Sequence, residues 1–384
     1  MQASSEGPVV ALEGREIGRH LGAQPGPTLI AVAGIHGNEP AGVEAARRVL
    51  ARLSRGDLRC KGEFAAFAGN LAGLRRGLRY QAKDLNRVWT EEGVAALQAK
   101  PLAERDAEDR EQADLLAAIE AARARAQGPV HLADLHTTSA AGIPFILFGD
   151  TLSQRRFTQV FPLPVILGLE EQLDGVLTAY WTRRGCVTFA VEGGQHQSAD
   201  SVDSIEAVLW LALARAGLVE GAAPELARSA ALLEEKRAGL PRVVEVISRR
   251  SIAPEDAFRM EPGFRNLDRA RKGQLLARDR GGEIRAEKDG MVLLPLYQGL
   301  GGDGFFWGRA VGGARLRVSA ALRALGLDRL LGFLPGVARD AGNPARFVVD
   351  AKSARPPALG VFHLLGYRRI RQQGSKWTIE RQGA

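Results

Sequence analysis

The sequence predicts an α/β fold in which a mixed sheet flanked by helices is followed by a small β-rich domain and a basic C-terminal tail. Three observations predict this architecture. Apolar runs alternate with helical segments through the first half of the chain. The pattern changes after Leu218, and from Arg242 onward it consists of short alternating runs that glycines interrupt, while residues 341–384 are rich in arginine. At 384 residues the chain also exceeds what one hydrophobic core usually supports, so we expect more than one domain.

The first half of the chain alternates predicted strands with predicted helices. Apolar runs without strict polar alternation are typical of strands buried in a parallel or mixed sheet. The predicted strands are Leu29–Ala33, Glu63–Ala68, Val130–Leu135, Ile143–Phe148 and Val187–Val191. The predicted helices are Pro40–Leu53, Leu102–Ala126 and Ser201–Ala216. This alternation predicts a first domain, residues 1–240, whose helices flank the sheet.

A domain boundary is expected near residue 240, after the helix-prone segment Pro224–Arg237. Short alternating runs then predict a small barrel or sandwich over residues 241–315. These runs are Val243–Ile247, Gln274–Ala277, Glu283–Ala286 and Met291–Leu296. Residues 316–384 are predicted to hold one helix and a tail with strand-like segments. The helix is Leu316–Leu334, and the segments are Phe347–Asp350, Gly360–Arg371 and Trp377–Arg381.

The composition is ordinary for a soluble globular protein, with 45% hydrophobic and 25% charged residues. Met1–Pro8 has neither the basic start nor the apolar core of an export signal, and no stretch approaches the roughly 18 apolar residues that a membrane span needs. We therefore expect a cytoplasmic protein with no membrane partner. Cys60 and Cys186 lie outside metal-binding spacings, and we interpret both as small buried residues.

Most of the positive charge belongs to the C-terminal tail. The formal net charge is +8, and residues 341–384 carry six Arg and two Lys against Asp350 and Glu380, a net charge of +6. The rest of the chain is nearly balanced, so its charge gives no argument for a basic active site. Apolar residues alternate with the charges of the tail, which favours a β hairpin with a solvated basic face or a subunit contact in a homo-oligomer. Nucleic-acid binding is the alternative interpretation.

Two predicted strand ends present potential metal ligands. His36 and Glu39 lie in a glycine-bounded loop after the first apolar run, and His136 follows Val130–Leu135. Open α/β sheets bind ligands at the carboxyl ends of their strands, so these side chains can converge on one ion. Two His and one Glu with an open fourth position form a catalytic zinc shell. Taken alone, His36 could instead be a hydrogen-bonded loop residue, and Glu39 could stabilise the start of a helix.

The segment from Arg79 to Arg87 combines arginines with a carboxamide. Arg87 presents a planar fork that suits a carboxylate, and Asn86 adds a donor and an acceptor, so the two could clamp an anionic substrate group. Arg79 could bind the same charge or polarise a carbonyl. The alternative interpretation of this segment is a solvated basic loop.

Glu192 follows the apolar run Val187–Val191 and precedes two glycines. A glutamate beside a metal-bound water can accept its proton and later pass that proton to a leaving amine. Alternatively, Glu192 only prepares the chain for the helix that follows. Tyr180 and Arg184, just upstream, are within reach of the same strand end.

The motifs follow one another along the chain as His36-Gly-Asn-Glu39, Arg79-Tyr80, Asp84-Leu85-Asn86-Arg87, Asp134-Leu135-His136 and Glu192. In this order they resemble the succinylglutamate desuccinylase/aspartoacylase family, whose members are related to the zinc carboxypeptidases. The resemblance covers residues 28–200 and extends less specifically over residues 240–312. It implies a zinc-carboxypeptidase-like sheet domain followed by a β domain. It also implies hydrolysis of the amide bond of an N-acyl amino acid, which releases a carboxylate and a free amino acid.

The resemblance implies a role for each candidate residue. The implied ligands of one Zn²⁺ are His36, Glu39 and His136. The implied catalytic residues are Glu192 as general base and acid, and Arg79 as the group that polarises the scissile carbonyl. The implied substrate-binding residues are Asn86, Arg87, Tyr180 and Arg184.

Substrate specificity and two alternative functions stay open at the level of sequence. Tyr297 and the glycine-rich residues 299–304 lie near the place where aspartoacylases offer a substrate-binding tyrosine, but neither is clearly equivalent to it. A zinc carboxypeptidase acting on short peptides is one alternative function. A catalytically inactive binding protein that uses its basic tail is the other.

Overall fold

A twelve-stranded mixed sheet organises the chain, and the predicted α/β class is confirmed. The structure is a computed structural model that describes residues 9–350 and 356–381. The predicted absence of an export signal at residues 1–8 falls outside the described residues, as do residues 351–355 and 382–384 of the tail. Among the described residues, no helix is both long enough and apolar enough to cross a membrane.

The elements up to residue 240 alternate as the sequence predicts. The strands are β1 (Glu16–Leu21), β2 (Gln24–Ala33), β3 (Arg59–Ala68), β4 (Val130–Thr138), β5 (Phe145–Leu147), β6 (Val165–Leu167), β7 (Val187–Gln195) and β8 (Val219–Glu220). The helices are α1 (Ala41–Leu53), α2 (Leu71–Leu74), α3 (Glu91–Ala99), α4 (Ala107–Arg125), α5 (Leu152–Thr158), α6 (Leu177–Arg183), α7 (Ala199–Ala216) and α8 (Ala223–Arg237). Short 3₁₀ turns cover Leu85–Arg87, Leu102–Glu104 and Glu170–Gln172.

Strand order in the large sheet is β1-β3-β2-β4-β7-β5-β6, and the neighbours β3, β2, β4 and β7 run parallel. Both faces of these strands are covered. Along β2, Leu29, Ala31 and Ala33 belong to one buried cluster, while Ile30 and Val32 belong to another. Helices α1 and α7 pack on the first face, and α4 packs on the second. Burial of both faces explains why these strands lack polar alternation.

One predicted helix is shorter in the structure. The sequence predicts a helix over Leu102–Ala126, but α4 begins at Ala107. The side chain of Asp106 accepts a hydrogen bond from the backbone N–H of Asp109, and Asp109 accepts one from the backbone N–H of Asp106. This capping box satisfies free backbone donors and fixes the start of the helix.

The second half of the chain continues the large sheet. Its strands and helices are β9 (Val243–Ser251), β10 (Arg259–Met260), β11 (Asp268–Ala270), β12 (Leu275–Asp279), β13 (Gly282–Arg285), β14 (Gly290–Leu293), β15 (Asp303–Ala310), α9 (Gly313–Ala324), β16 (Val337–Arg339), β17 (Arg346–Asp350), α10 (Pro356–Leu364), β18 (Arg369–Gln373) and β19 (Lys376–Glu380). Strand β9 pairs with β6 in parallel and with β15 in antiparallel orientation, and β14 and β11 follow. One hydrogen-bonded sheet therefore contains strands from both sides of the predicted boundary near residue 240.

The C-terminal segment differs from its predicted elements. Helix α9 ends at Ala324, and Gly326, with φ at 66°, separates it from a 3₁₀ segment at Leu327–Phe333. The predicted strand-like run Gly360–Arg371 begins instead within α10. Phe362 is fully buried there and belongs to one core cluster with Leu359 and Leu365, and the spacing of three residues is helical.

Much of the tail's positive charge is paired within the chain. Arg368 is buried between Asp150 and Glu245, at 2.7 and 2.6 Å. Arg369 and Arg371 both contact Asp174. These pairs attach the tail to the sheet domain.

Candidate metal and catalytic site

The candidate site lies where β2, β4 and β7 end side by side. His36 is in the loop after β2, and His136 lies near the C-terminal end of β4. On β7, Glu192 is the register partner of His136. Parallel strands carry their carboxyl ends to one edge, so three of the predicted residues meet there.

Two glycines allow the His36 loop to pack closely. Gly34 has φ at 69°, in the left-handed region that glycine adopts readily, and it turns the chain directly after β2. A Cβ atom at Gly37 would lie 2.4 Å from the carbonyl oxygen of Leu78. The loop therefore needs glycine on both sides of His36.

Three predicted metal ligands converge in the structure. Nδ1 of His36 lies 2.9 Å from Oε1 of Glu39, and Nδ1 of His136 lies 3.2 Å from Oε2. One potential ligand atom from each residue lies within 4.8 Å of the other two, and all three residues are buried. This geometry matches a donor set of two imidazoles and one carboxylate around one ion.

Both imidazoles are held at their second nitrogen by an aspartate. Nε2 of His36 lies 3.1 Å from Asp84, and Nε2 of His136 lies 2.9 Å from Asp134. Nε2 of His36 also lies 3.0 Å from Nη2 of Arg79, and in both rings the Nδ1 atom is the one directed at Glu39. In the neutral form, an Nδ1 atom with a free lone pair can bind a cation together with the Glu39 carboxylate. The residues present therefore fit a zinc ion.

The charges around the two histidines favour a cation. Burial opposes ionisation of Glu39, but the charge of His36 and the hydrogen bonds with His136 and His36 outweigh it, so the pKa of Glu39 lies well below its usual range. Burial also lowers the pKa of His136, but the carboxylates of Asp134 and Glu39 outweigh burial and raise that pKa well above its usual value. The same carboxylates attract a divalent metal ion.

Arg79 and Glu192 lie beside this centre. The guanidinium of Arg79 is 3.3 Å from Glu39 and 3.2 Å from Asp84, and its Nε has no hydrogen-bond partner among the described residues. Glu192 is buried, and its Oε2 likewise has no partner there. Burial, followed by the neighbouring Glu39 and Asp134 carboxylates, raises the pKa of Glu192 to about 8, although the charge of His136 opposes this. A carboxyl group with such a pKa can exchange a proton near neutral pH.

Asn86 and Arg87 also line the cavity. Oδ1 of Asn86 accepts a hydrogen bond from the backbone N–H of Leu177, which leaves its Nδ2 3.3 Å from Nε2 of His136. Arg87 donates to Oδ2 of Asp303 at 3.3 Å. A protein carboxylate therefore contacts the arginine that the sequence assigns to a substrate carboxylate.

The family model of the succinylglutamate desuccinylase/aspartoacylase catalytic domain matches residues 25–207, which contain all of these residues except Asp303. This match covers just under half of the chain. A succinylglutamate desuccinylase of Pseudomonas paraeruginosa is 33% identical over 159 residues, which covers 35% of this chain and 48% of that protein. One of Pseudomonas fluorescens is 41% identical over 64 residues, or 17% of this chain and 19% of that protein. The matches thus span less than half the length of these curated relatives.

Solved structures share the fold of this chain. The product-bound ectoine utilization protein EutE (DoeB) of Ruegeria pomeroyi has a TM-score of 0.55 at 20% identity, covering 75% of this chain and 87% of that one. A succinylglutamate desuccinylase/aspartoacylase of Rhodobacter sphaeroides has a TM-score of 0.54 at 19% identity, with the same coverage. At this level of identity the likeness shows the fold alone.

The cavity at the candidate site has a volume of about 460 Å³ and includes residues that the sequence analysis did not assign. His196 contacts Thr137 through Nδ1 at 2.8 Å and Gln298 through Nε2 at 3.4 Å. Arg249 and Asp303 contact each other at the edge of the cavity. These residues follow no motif, and only the position of His196 four residues after Glu192 could have drawn attention to it.

Tyr180 and Arg184 lie outside this cavity, which differs from the sequence expectation. The Arg184 guanidinium lies 3.7 Å above the Tyr180 ring and pairs with Glu91. Both residues line a separate groove with α3 and α4. Thr178 is the residue of α6 that lines the cavity, and Tyr180 lies about 200° further around the helix. The geometry therefore gives no support for substrate binding by Tyr180 and Arg184.

Tyr297 has a structural position, whereas part of the glycine-rich stretch reaches the cavity. The hydroxyl of Tyr297 donates to the carbonyl of Glu261 at 2.8 Å and accepts from the N–H of Phe264 at 3.0 Å. Gly301 and Gly302 line the cavity next to Asp303.

Proposed function

We propose that this protein is a zinc-dependent deacylase that hydrolyses the amide bond of an N-acyl amino acid. The observation that carries the proposal is the convergence of His36, Glu39 and His136 beside Glu192 and Arg79 in one buried cavity. The family match supports the same activity, because its curated relatives are named succinylglutamate desuccinylases. We propose one Zn²⁺ per chain, held by those two histidines and that glutamate.

A Zn²⁺ at this site would supply a Lewis acid for the scissile carbonyl and would lower the pKa of a water molecule toward roughly 7. Glu192 accepts one proton from the attacking water as the new C–O bond forms. The guanidinium of Arg79 stabilises the negative charge that develops on the carbonyl oxygen. Glu192 then donates its proton to the departing nitrogen as the C–N bond breaks. The products are a carboxylate and a free amino acid.

The residues on the rim orient the substrate. Arg87 is partly exposed and can exchange its contact with Asp303 for a carboxylate of the substrate. Asn86 holds the ring of His136 on one side and the start of α6 on the other, so it keeps the anion-binding segment next to the metal ligands. Burial of the centre excludes water and strengthens these electrostatic contacts.

A hydrolysis screen of the zinc-loaded protein tests the proposal. The substrates are N-acetyl, N-succinyl and longer N-acyl amino acids, together with short peptides. We expect a free amino acid and a carboxylate in equal amounts from at least one N-acyl amino acid. Release of residues from the peptides alone would identify a carboxypeptidase instead. Hydrolysis of none of these compounds by protein that holds one zinc per chain would overturn the proposed activity.

A further inference from the structure

A second cavity lies on the opposite face of the sheet from the candidate site. Its volume is about 360 Å³. On β5 and just after it, Leu147 faces the candidate site whereas its neighbour Phe148 lines the second cavity, and Val165 and Leu167 on β6, two residues apart, both line the second cavity. Successive residues of a strand point to opposite faces, so the sheet separates the two spaces. The residues found to line them do not overlap.

The interior of the second cavity is apolar and incompletely filled. Phe148, Phe161 and Leu163 lie on the sheet side. Helix α9 covers them with Leu316, Ala320 and Ala324, which are four residues apart and therefore share one face of the helix. Two of these three side chains are methyl groups, and the space between α9 and the sheet side is left unfilled. An apolar chain in this space would gain contacts that the protein itself does not make.

The mouth of the cavity is cationic. Arg156, Arg242 and Arg317 line it and are exposed. In the described part of the chain, the guanidinium groups of Arg156 and Arg317 have no hydrogen bond or ion pair, and Arg242 has only long contacts, at 3.4 Å with Phe161 and 3.5 Å with Glu234. The described lining contains no acidic residue. The guanidinium groups of Arg156 and Arg317 can therefore bind a carboxylate directly, and Arg242 can do so by giving up its long contact with Glu234.

The fourth arginine that lines the cavity, Arg155, has a different role. It is buried, contacts both carboxylate oxygens of Asp150, and lies 3.1 Å from the hydroxyl of Ser319 on α9. This pairing holds α9 over the cavity and neutralises the one guanidinium in its wall. The three arginines at the mouth are the ones left available to a ligand.

We propose that the second cavity binds a medium-chain carboxylic acid in its anionic form. The alkyl chain lies between α5 and α9, and the carboxylate lies among Arg156, Arg242 and Arg317. A volume of this size suits a small molecule rather than the surface of another protein. The site is independent of the proposed hydrolysis, and its cover, α9, lies outside the residues that match the family.

Titration calorimetry on the full chain tests this site. Decanoate below its micellar concentration should bind saturably with one site per chain, acetate should give no binding, and 1-decanol should bind at least tenfold more weakly than decanoate. Absence of saturable decanoate binding would overturn the proposal, as would equal affinities for decanoate and 1-decanol. Formation of a dimer that excludes decanoate would also overturn it.

Two variants separate the chain-binding and charge-binding parts. Ala320→Phe should fill the cavity and abolish decanoate binding, and the double variant Arg242→Glu/Arg317→Glu should weaken it at least tenfold. Arg329→Glu is the matched control, because Arg329 is exposed on the same segment but does not line the cavity, and its affinity should equal that of the unchanged protein. If circular dichroism shows that Ala320→Phe does not fold, the double variant Arg242→Glu/Arg317→Glu, whose substitutions are exposed, still tests the proposal. Wild-type affinity in that double variant would overturn the proposal.

Discussion

The carboxylate of Glu39 lies 3.2 Å from Nδ1 of His136, although 97 residues separate them in the chain. The other oxygen of Glu39 lies 2.9 Å from Nδ1 of His36. We predict about one zinc per chain in the purified protein, and loss of most of that zinc in His36→Ala, because two ligands alone hold the ion weakly. Metal analysis after dialysis measures both quantities.

The control for this substitution is His20→Ala. His20 lies on β1, outside the metal-ligand cluster, so the variant should retain the zinc content of the unchanged protein. Equal zinc in His36→Ala and His20→Ala would remove His36 from the proposed ligand set.

Glu192→Gln should separate metal binding from catalysis. The amide has nearly the shape of the carboxyl group but cannot accept and return a proton, so turnover should fall by several orders of magnitude while zinc content stays unchanged. Rates of hydrolysis and zinc content are measured on the same preparation. Turnover near the wild-type rate would show that another group transfers the proton.

The sequence allowed the sheet and the centre of the site to be predicted for one physical reason. Buried parallel strands are continuous apolar runs, and parallel strands bring their carboxyl ends together, so His36, His136 and Glu192 could be assigned to one edge. The order of strands placed them at one edge, whereas their roles as metal ligands and proton-transfer group came from the resemblance to the family.

Other features depend on contacts that no local pattern contains. Tyr180 is only two residues from Thr178, but a helix directs these side chains to opposite sides, and spacing to Glu192 could not reveal this. Asp303 reaches Arg87 across 216 residues through the pairing of β15 with β9. The tail's charge was evident from the sequence, whereas its buried partners Asp150 and Glu245 were not.

Asp303→Asn should improve the binding of anionic substrates. Asp303 contacts both Arg87 and Arg249 at the edge of the cavity, so its carboxylate competes with a substrate carboxylate for Arg87. Removing that charge should lower KM several-fold and leave kcat little changed, since Asp303 does not contact the metal ligands. Steady-state kinetics checks this. Asp303→Glu keeps the charge and serves as the control, and a raised KM in Asp303→Asn would contradict the competition.

Arg368→Met should destabilise the fold strongly. Its guanidinium is buried and contacts Asp150 and Glu245, so its removal leaves two buried carboxylates short of a cation. Breaking a buried ion pair in this way costs roughly 3–5 kcal/mol. Urea unfolding measures the loss. Arg278→Met, which breaks an exposed pair with Glu261 and Glu283, should cost far less, because solvent screens that pair. Equal losses in the two variants would show that burial of the Arg368 contacts is unimportant.

His131 should make stability fall as the pH falls. Its ring stacks on Phe157 with centroids 4.7 Å apart, and burial, aided by the charge of Arg215, lowers the pKa of His131 from 6.5 to about 4 despite a contact with the Thr28 backbone. Below pH 6.5 the unfolded chain binds a proton that the folded chain does not, so the contribution of neutral His131 is lost progressively down to about pH 4. At about 1.4 kcal/mol per pKa unit, the loss amounts to roughly 3 kcal/mol.

The comparison with His131→Leu isolates this effect. Burial raises the pKa of Glu170 to about 7 and that of Glu171 to about 8. These groups act in the opposite direction, because the folded chain binds their protons more tightly than the unfolded chain does, so their contribution to stability rises as the pH falls. Both chains contain these glutamates, so the difference between their unfolding free energies reports His131 alone. Urea unfolding at pH 7 and at pH 4.5 should show a smaller acid-induced loss in His131→Leu. Parallel losses in the two proteins would mean that His131 is not held neutral by its burial beside Phe157.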